Sequence, residues 1–213
     1  MTKVGVSLLG GDYSALGNQI KKLEKAGADI ISFDVMDGHF VKNITVGPDV
    51  IKSCRHVTKL PFECHLMIAE PERYVGQFID AGCDIVTVHV ESTKKLDGII
   101  KTVKGKSRKM SVALKPDTHA KAVFPYLKDI DMVLVMTVDP GFASQRFMDM
   151  SEKIKALKSE IKGRGLSTKI MVDGGINNET SRVAKAAGAD ILISASYILN
   201  NDYKTAIKNL RRA

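Results

Sequence analysis

The sequence predicts an α/β fold, a single-domain (β/α)8 or TIM barrel that extends over residues 1–213. Short apolar runs rich in β-branched residues alternate along the chain with amphipathic stretches of about one helix length. Three of these runs begin with nearly the same five residues: AGADI at 26–30, AGCDI at 81–85 and AGADI at 187–191. Eight strand–helix units in a chain of 213 residues match a barrel of minimal size.

The predicted strands follow one another at the spacing that a barrel requires. In order they are VGVSLL (4–9), DIISFDV (29–35), FECHLMI (62–68), DIVTVHV (84–90), KMSVALK (109–115), MVLVMTV (132–138), KIMVDG (169–174) and DILISAS (190–196). Helix candidates between them include SALGNQIKKLEKA, PERYVGQFIDA, SEKIKALKSEIKG and NETSRVAKAA, and a last one lies at the C-terminus. In each repeat the glycine predicts a left-handed helix end before a parallel strand.

An open, doubly wound sheet is the alternative fold. Such a sheet usually has fewer strands and a GxGxxG turn after the first one, and LLGGDYS has no such pattern. The chain also lacks a Gly/Ser-rich or Pro-rich linker, so one continuous domain is expected.

Composition narrows the classes of function. The formal net charge is +8, but the sequence has no zinc-finger spacing and no interleaving of basic and aromatic residues, so a nucleic-acid partner is not expected. A basic surface that favours small anionic substrates, or an ordinary solvated surface, explains the charge.

No apolar run approaches a membrane span, and the N-terminal run is too short for a signal peptide. The three cysteines form no CxxC pair, and we expect reduced thiols in a soluble, cytoplasmic protein.

Polar residues lie at or near the C-terminal ends of three predicted strands, where barrel enzymes place their chemistry. Asp34, His65 and Asp173 occupy such positions on strands 2, 3 and 7, and by the two-residue alternation Ser32 shares the face of Asp34. One such residue alone would more often be a satisfied structural group. Their common placement favours an active site.

Three neighbouring loops predict a phosphate-binding site. DPGFASQRF (139–147) follows strand 6, DGG (173–175) ends strand 7, and SAS (194–196) ends strand 8. Small residues leave backbone N–H groups free for an anion in this part of the fold. The alternative is that Gly174 and Gly175 only permit a tight turn.

Two carboxylates on opposite sides of a barrel mouth suit two-base proton transfer. One acid removes a proton next to a carbonyl, and the other returns a proton from the opposite face and inverts the carbon. A metal held by Asp, Asp and His can stabilise the enediolate between the two steps.

The chain resembles the ribulose-phosphate 3-epimerase family, which includes ribulose-5-phosphate 3-epimerase and allulose-6-phosphate 3-epimerase, along essentially its whole length. The resemblance rests on DVMDGHFVKNITVGP (34–48), CHLMI (64–68), ERY (72–74), VHVES (88–92), MTVDPGFASQRF (136–147) and VDGGIN (172–177). It implies a ribulose-phosphate binding barrel that inverts C3 of a ketose phosphate in the pentose phosphate pathway. Relatives are often dimers or hexamers, so a homo-oligomer is expected.

The resemblance also implies roles for individual residues. Asp34 and Asp173 match the acid/base pair, which together with His65 also binds a divalent metal (Zn, Fe, Mn or Co). The residues that match substrate contacts are Ser7, Met36, Met67, Met136, Gly141, Ala143, Ser144, Gly174, Gly175, Ala195 and Ser196. By periodicity alone, the three methionines belong to the core. His39 and His89 also match motif positions, with no chemistry assigned to them.

Departures from the family pattern affect the metal most. Ser32 stands where the family has a fourth metal ligand, a histidine, and a hydroxyl is a poor ligand beside an imidazole. Ser144 and Ala195 stand where glycine is common.

The alternative functions are an allulose-6-phosphate or other ketose-phosphate epimerase, and a metal-poor sugar-phosphate binding paralogue with reduced activity. A further alternative is a sugar-phosphate decarboxylase or isomerase. That enzyme would need a lysine at a strand end in the mouth, for which Lys115 is the candidate.

Overall fold

The computed structural model describes residues 2–213. Eight parallel strands form a closed barrel in sequence order, and β1 pairs with both β2 and β8. The strands are β1 Lys3–Ser7, β2 Ile30–Met36, β3 Phe62–Met67, β4 Ile85–His89, β5 Lys109–Leu114, β6 Met132–Met136, β7 Lys169–Asp173 and β8 Ile191–Ser194. The closed barrel confirms the predicted fold class and excludes the open sheet.

Helices follow the strands and cover the outside of the barrel. The α-helices of the described residues are α1 Leu16–Ala26, α2 Pro48–Arg55, α3 Val75–Asp80, α4 Leu96–Gly105, α5 Ser151–Gly163, α6 Thr180–Ala187, α7 Ser196–Leu199 and α8 Tyr203–Arg212. Between β5 and β6 the connection is a 3-10 helix, Ala120–Tyr126, instead of an α-helix. Pro125 lies inside it and cannot donate an α-helical hydrogen bond. No described helix has the length and apolar character that spanning a bilayer requires.

Several predicted elements end earlier than the sequence pattern suggests. The eighth strand stops at Ser194, because Ser196 already begins α7. The helix expected over 71–81 is divided into a 3-10 turn, Pro71–Arg73, and the α-helix that begins at Val75. Apolar residues beyond a strand end, such as Leu8, remain buried without belonging to the strand ladder. The apolar sequence pattern therefore continues past the last residue of the strand, because the residues that follow are also buried.

The five-residue repeats have a structural explanation. Their glycines end helices or turns with positive φ angles of 95°, 106° and 119° at Gly27, Gly82 and Gly188. The aspartates two residues later each accept a hydrogen bond from a backbone N–H near the start of a neighbouring strand; Asp29 Oδ2, for example, accepts from Val4 N at 2.8 Å. The repeats therefore fix the N-terminal face of the barrel, where stability rather than chemistry is expected.

The interior of the barrel holds a second, smaller core. Its buried apolar side chains are Ile30, Ile85, Ala113, Met132, Leu134, Met136, Val138, Met171, Ile191 and Ile193. Polar side chains also point inward, and Ser32, Glu63, Thr87 and Ser111 are buried there with at most 1% exposure. Asp34, His65 and Asp173 lie further along their strands, at the C-terminal mouth.

Candidate active site

Three side chains that the sequence singles out come together at the mouth of the barrel. Asp34 and His65 are direct neighbours across β2 and β3, and Asp173 is the last residue of β7. His65 Nδ1 lies 2.9 Å from Asp34 Oδ1 and 3.8 Å from Asp173 Oδ2. One possible ligand atom from each residue lies within 4.8 Å of the other two. The group is therefore a candidate metal site.

The electrostatics of this group are those of crowded, poorly solvated acids. Burial, followed by the negative charge of Asp34, raises the pKa of Asp173 well above its ordinary value. Burial opposes a charge on His65, but the hydrogen bond and charge of Asp34 outweigh it and raise the pKa of His65. The pocket therefore favours added positive charge, from a proton or from a metal ion.

Asp34 is held by hydrogen bonds on both its side chain and its backbone. Ser7 Oγ donates to Asp34 Oδ2 at 2.6 Å, and Thr45 Oγ1 donates to the Asp34 carbonyl oxygen at 2.5 Å. Only 6% of Asp34 is exposed. The carboxylate thus has a fixed orientation, as an acid/base group requires.

A cavity of about 500 Å³, which includes its opening to solvent, lies above the two acids. Asp34 and Asp173 line it, together with every predicted substrate-contact residue: Ser7, Met36, Met67, Met136, Gly141, Ala143, Ser144, Gly174, Gly175, Ala195 and Ser196. His65 is almost completely buried and is not among the lining residues. The structure thus brings the whole predicted set to one place.

The three methionines are both core and cavity wall. Met36 and Met67 pair across β2 and β3, and Met136 pairs with Asp173 across β6 and β7. Each is at most 3% exposed. Their unbranched, polarizable side chains give the wall above the acids an apolar surface that cannot exchange protons.

The loops after β6, β7 and β8 combine tight turns with free backbone donors. Within residues 2–213, no acceptor is found for the N–H groups of Gly141, Ala143, Ser144 and Gly175. A Cβ atom on Gly175 would lie 2.8 Å from Phe147 N, so glycine is also required there for packing alone. Ser144, where the family commonly has glycine, has a positive φ of 60°.

Asp37 is a structural residue of the loop after β2. Its Oδ1 accepts hydrogen bonds from the N–H groups of His39 and Phe40 at 2.9 Å, and its Oδ2 accepts one from Ala69 N at 2.8 Å. The His39 side chain is 82% exposed and does not line the cavity. This loop contacts the loop after β6 through a 2.8 Å hydrogen bond from Asn43 Nδ2 to the Gly141 carbonyl oxygen.

Comparison with known proteins identifies the family. The family model described as "Ribulose-phosphate 3 epimerase family" matches residues 3–199. The chain belongs to the ribulose-phosphate 3-epimerase family. It is 44% identical over 214 residues to a ribulose-phosphate 3-epimerase from Bacillus subtilis, with 99% of each chain covered. It is 46% identical to one from Methanocaldococcus jannaschii, covering all of this chain and 91% of the relative. The chain is therefore an epimerase, an enzyme of the isomerase class.

Solved structures of more distant proteins share the fold. A 3-hexulose-6-phosphate synthase from Salmonella typhimurium has a TM-score of 0.74 at 19% identity, with 99% of this chain and 97% of that chain covered. A 3-keto-L-gulonate-6-phosphate decarboxylase from Vibrio cholerae has a TM-score of 0.75 at 11% identity, with 99% and 96% covered. These similarities concern the fold alone.

The lysine that a decarboxylase or isomerase site would need is not in the cavity of this epimerase. Lys115 does not line the cavity, and its Nζ lies 4.0 Å from the centre of the Phe40 ring. Its position does not fit the decarboxylase or isomerase alternative.

A buried pair behind His65 was not predicted from the sequence. His89 is fully buried, its Nε2 lies 2.9 Å from His65 Nε2, and its Nδ1 lies 3.2 Å from Glu91 Oε2. Burial lowers the pKa of His89 to about 4. Burial also acts to raise the pKa of Glu91, but hydrogen bonds from His89 and neighbouring groups outweigh it and lower this pKa to about 2. Thr87 and His89 share the inward face of β4, and that alternation is the sequence signal that could have indicated this position.

A second buried acid lies below the site. Glu63 is 1% exposed and accepts a 2.6 Å hydrogen bond from Thr87 Oγ1. Burial raises its pKa. Ser32, its neighbour across β2 and β3, has a buried hydroxyl without a hydrogen-bond partner in the described part of the chain.

Proposed function

We propose that this epimerase inverts C3 of ribulose 5-phosphate to give xylulose 5-phosphate by proton transfer between two aspartates. The observation that carries the proposal is the convergence of the Asp34 and Asp173 carboxylates on one cavity. The names of the relatives, which share 39–46% identity with this chain, support the choice of substrate.

The two acids have complementary tasks. One carboxylate removes the C3 proton from one face of the bound ketose phosphate and leaves an enediolate. The other, in its protonated form, delivers a proton to C3 from the opposite face. The raised pKa of Asp173 supports its being the protonated partner when the cycle begins on the Asp34 side. Ser7 keeps Asp34 oriented through its hydrogen bond to Oδ2, and Met36, Met67 and Met136 exclude water from the reacting carbons.

The donor set at the mouth fits a divalent metal ion. Two carboxylates and one imidazole nitrogen converge, and the mutual repulsion of the acids favours a cation between them. Asp34, His65 and Asp173 would hold the ion, and three protein ligands leave room for water or substrate even with Ser32 in place of a histidine. When bound, a Zn, Fe, Mn or Co ion would supply positive charge to the enediolate oxygens.

Phosphate is the proposed anchor of the substrate. The free N–H groups of Gly141, Ala143, Ser144 and Gly175 surround one end of the cavity, and Ala195 and Ser196 line it as well. Successive backbone N–H groups in turn conformations form concavities that bind anions. Gly175 can serve both packing and phosphate binding, because the tight turn that requires glycine also leaves the backbone N–H groups exposed.

Allulose 6-phosphate is the second candidate substrate, since the DPGFA sequence of the loop after β6 resembles that branch of the family. Both candidates are tested together. Each ketose phosphate is incubated with the protein in heavy water, with and without added Zn, Mn, Fe or Co, and the C3 proton is followed by NMR. We expect exchange and epimerisation to be fastest with ribulose 5-phosphate. Absence of exchange on every ketose phosphate with every metal would overturn the proposal, and a metal-poor binding protein would then be the better description.

The chain is further proposed to act as one domain and to assemble as a homo-oligomer. Analytical ultracentrifugation of the purified protein tests the assembly, and a single monomeric species at micromolar concentration would contradict it.

A further inference from the structure

A hydrogen-bonded chain of side chains runs from the candidate metal site toward the protein surface. His65 contacts His89 through their Nε2 atoms, and His89 Nδ1 contacts Glu91 Oε2. The side chains of His65 and His89 are at most 1% exposed, whereas that of Glu91 is 21% exposed. His89 and Glu91 do not line the cavity, so neither touches a substrate bound there.

The positions of the protons in this chain follow from the chemistry of its ends. An ionised carboxylate only accepts hydrogen bonds, so the proton between Glu91 and His89 belongs to His89 Nδ1. A neutral, buried His89 then presents a lone pair at Nε2. The 2.9 Å contact between the two Nε2 atoms needs one proton, which therefore belongs to His65.

This arrangement determines what His65 offers to the two acids. With its Nε2 proton held by His89, His65 turns Nδ1 toward Asp34 and Asp173, at 2.9 and 3.8 Å. Without a metal ion, a second proton on Nδ1 can bridge to Asp34, and a metal ion that binds there would take the place of that proton. If Nδ1 carried the only ring proton, its loss to a metal ion would leave His65 without a proton for His89 Nε2.

We propose that His89 and Glu91 are positioning residues that hold His65 in the Nε2–H form, so that Nδ1 is open to a divalent metal ion. The inference rests on the metal site of the proposed function. Partners that hold the second nitrogen of a ligating histidine fix its tautomer and ring orientation, and their loss typically weakens metal binding about 10- to 100-fold.

The surroundings of His89 keep the chain in place. The rings of His65 and His89 meet edge to edge through their Nε2 atoms, with centroids 5.0 Å apart and planes 20° apart. The Phe40 ring also packs against His89, with the ring centroids 5.0 Å apart and the planes 49° apart. Glu91 is fixed through its second oxygen, because Oε1 accepts a 2.9 Å hydrogen bond from Lys115 N. Both ends of the chain are thus anchored to the barrel.

The first test observes the protons directly. Metal-free protein with 15N-labelled histidine is studied by NMR, and two-bond nitrogen–proton correlations show which ring nitrogens are protonated. We expect a proton on Nδ1 and none on Nε2 of His89, together with a proton on Nε2 of His65. A proton on Nε2 of His89 would overturn the inference.

The second test measures binding of Mn²⁺ alone by calorimetry. Mn²⁺ prefers oxygen and nitrogen ligands, so it avoids the three free cysteines. His89→Leu removes the acceptor and should weaken Mn²⁺ binding about 10- to 100-fold, whereas His89→Gln, whose amide oxygen can accept, should stay within about threefold of the wild type. His56→Leu, at an exposed histidine, is the matched control and should not change the affinity.

Glu91→Gln keeps the test decisive if His89→Leu does not fold. The amide that replaces the carboxylate can turn its NH₂ group toward His89. Donor and acceptor would then exchange places in each hydrogen bond from residue 91 to His65, and we expect Mn²⁺ binding to be about tenfold weaker. Glu152→Gln, at a side chain that is 90% exposed, is its control. Wild-type affinity in folded His89→Leu or in Glu91→Gln would overturn the inference. Since no ketose phosphate is present, a failure of the proposed epimerase activity would not be confused with either result.

Discussion

Gly175→Ala tests whether the loops after β6 and β7 meet as closely as the structure shows. The new Cβ would lie 2.8 Å from Phe147 N and 2.9 Å from Phe147 Cα, and Gly175 has a φ of 61°. The left-handed conformation costs an L-residue about 1–2 kcal/mol, and overpacking against backbone adds about 1–3 kcal/mol. The less flexible unfolded chain returns about 0.4–1 kcal/mol. The free energy of unfolding should therefore fall by about 1–5 kcal/mol, and each kcal/mol lowers the melting temperature by about 2–4 °C.

Denaturant unfolding followed by circular dichroism measures this loss, with Gly98→Ala as the control. Gly98 lies in α4 with nothing within 4 Å of its added Cβ, so alanine should stabilise the protein by up to about 1 kcal/mol. Because the substitution also displaces the free N–H groups of the loops, the KM of Gly175→Ala for the ketose phosphate should rise more than its kcat falls. Unfolding of Gly175→Ala at the wild-type denaturant concentration would refute the reasoning.

Three other predictions concern the metal and the pH dependence of stability. Ser32→His places an imidazole two residues before Asp34 on the same face of β2. Calorimetry should show tighter Mn²⁺ binding, and weaker binding would contradict the three-ligand site. Removing metal with a chelator should lower turnover, and adding Mn, Zn, Fe or Co should restore it; full turnover in protein shown to be metal-free by mass spectrometry would argue against a metal-assisted reaction. The pKa of Glu91 falls from 4.5 to about 2 on folding, so its charge stabilises the fold above pH 4.5 and this contribution disappears as the pH falls toward 2. The difference in unfolding free energy between wild type and Glu91→Gln should shrink over that range, and a constant difference would show that the carboxylate is not the cause.

The fold was predictable because its signals are local and repeated. Alternating apolar runs, the glycines that end the helices, and the recurrent aspartates all appear in the sequence at the positions where the barrel uses them. Asp34, His65 and Asp173 were equally visible, since polar residues at strand ends stand out against an apolar pattern. The limits of the elements were less clear, because buried residues such as Leu8 continue the apolar pattern beyond the strand.

Other features of the site depend on three-dimensional contacts that periodicity does not contain. Met36, Met67 and Met136 are core residues by pattern and by burial, and only closure of the barrel places them on the cavity wall. His89 lies on β4, where Thr87 and not His89 is the register partner of His65. Its contact with His65 arises from the reach of two long side chains, which strand pairing alone does not predict.

The central claim is that Asp34 and Asp173 act as a pair of opposed acid/base groups on C3. The most direct measurement compares the wild type with Asp34→Asn and Asp173→Asn on ribulose 5-phosphate in heavy water, with circular dichroism to verify that both variants fold. We predict that wild-type product carries deuterium at C3 and that each variant loses epimerisation, because inversion needs one acid/base group on each face of C3. Normal turnover by either folded variant, or wild-type product without deuterium at C3, would contradict the two-aspartate mechanism.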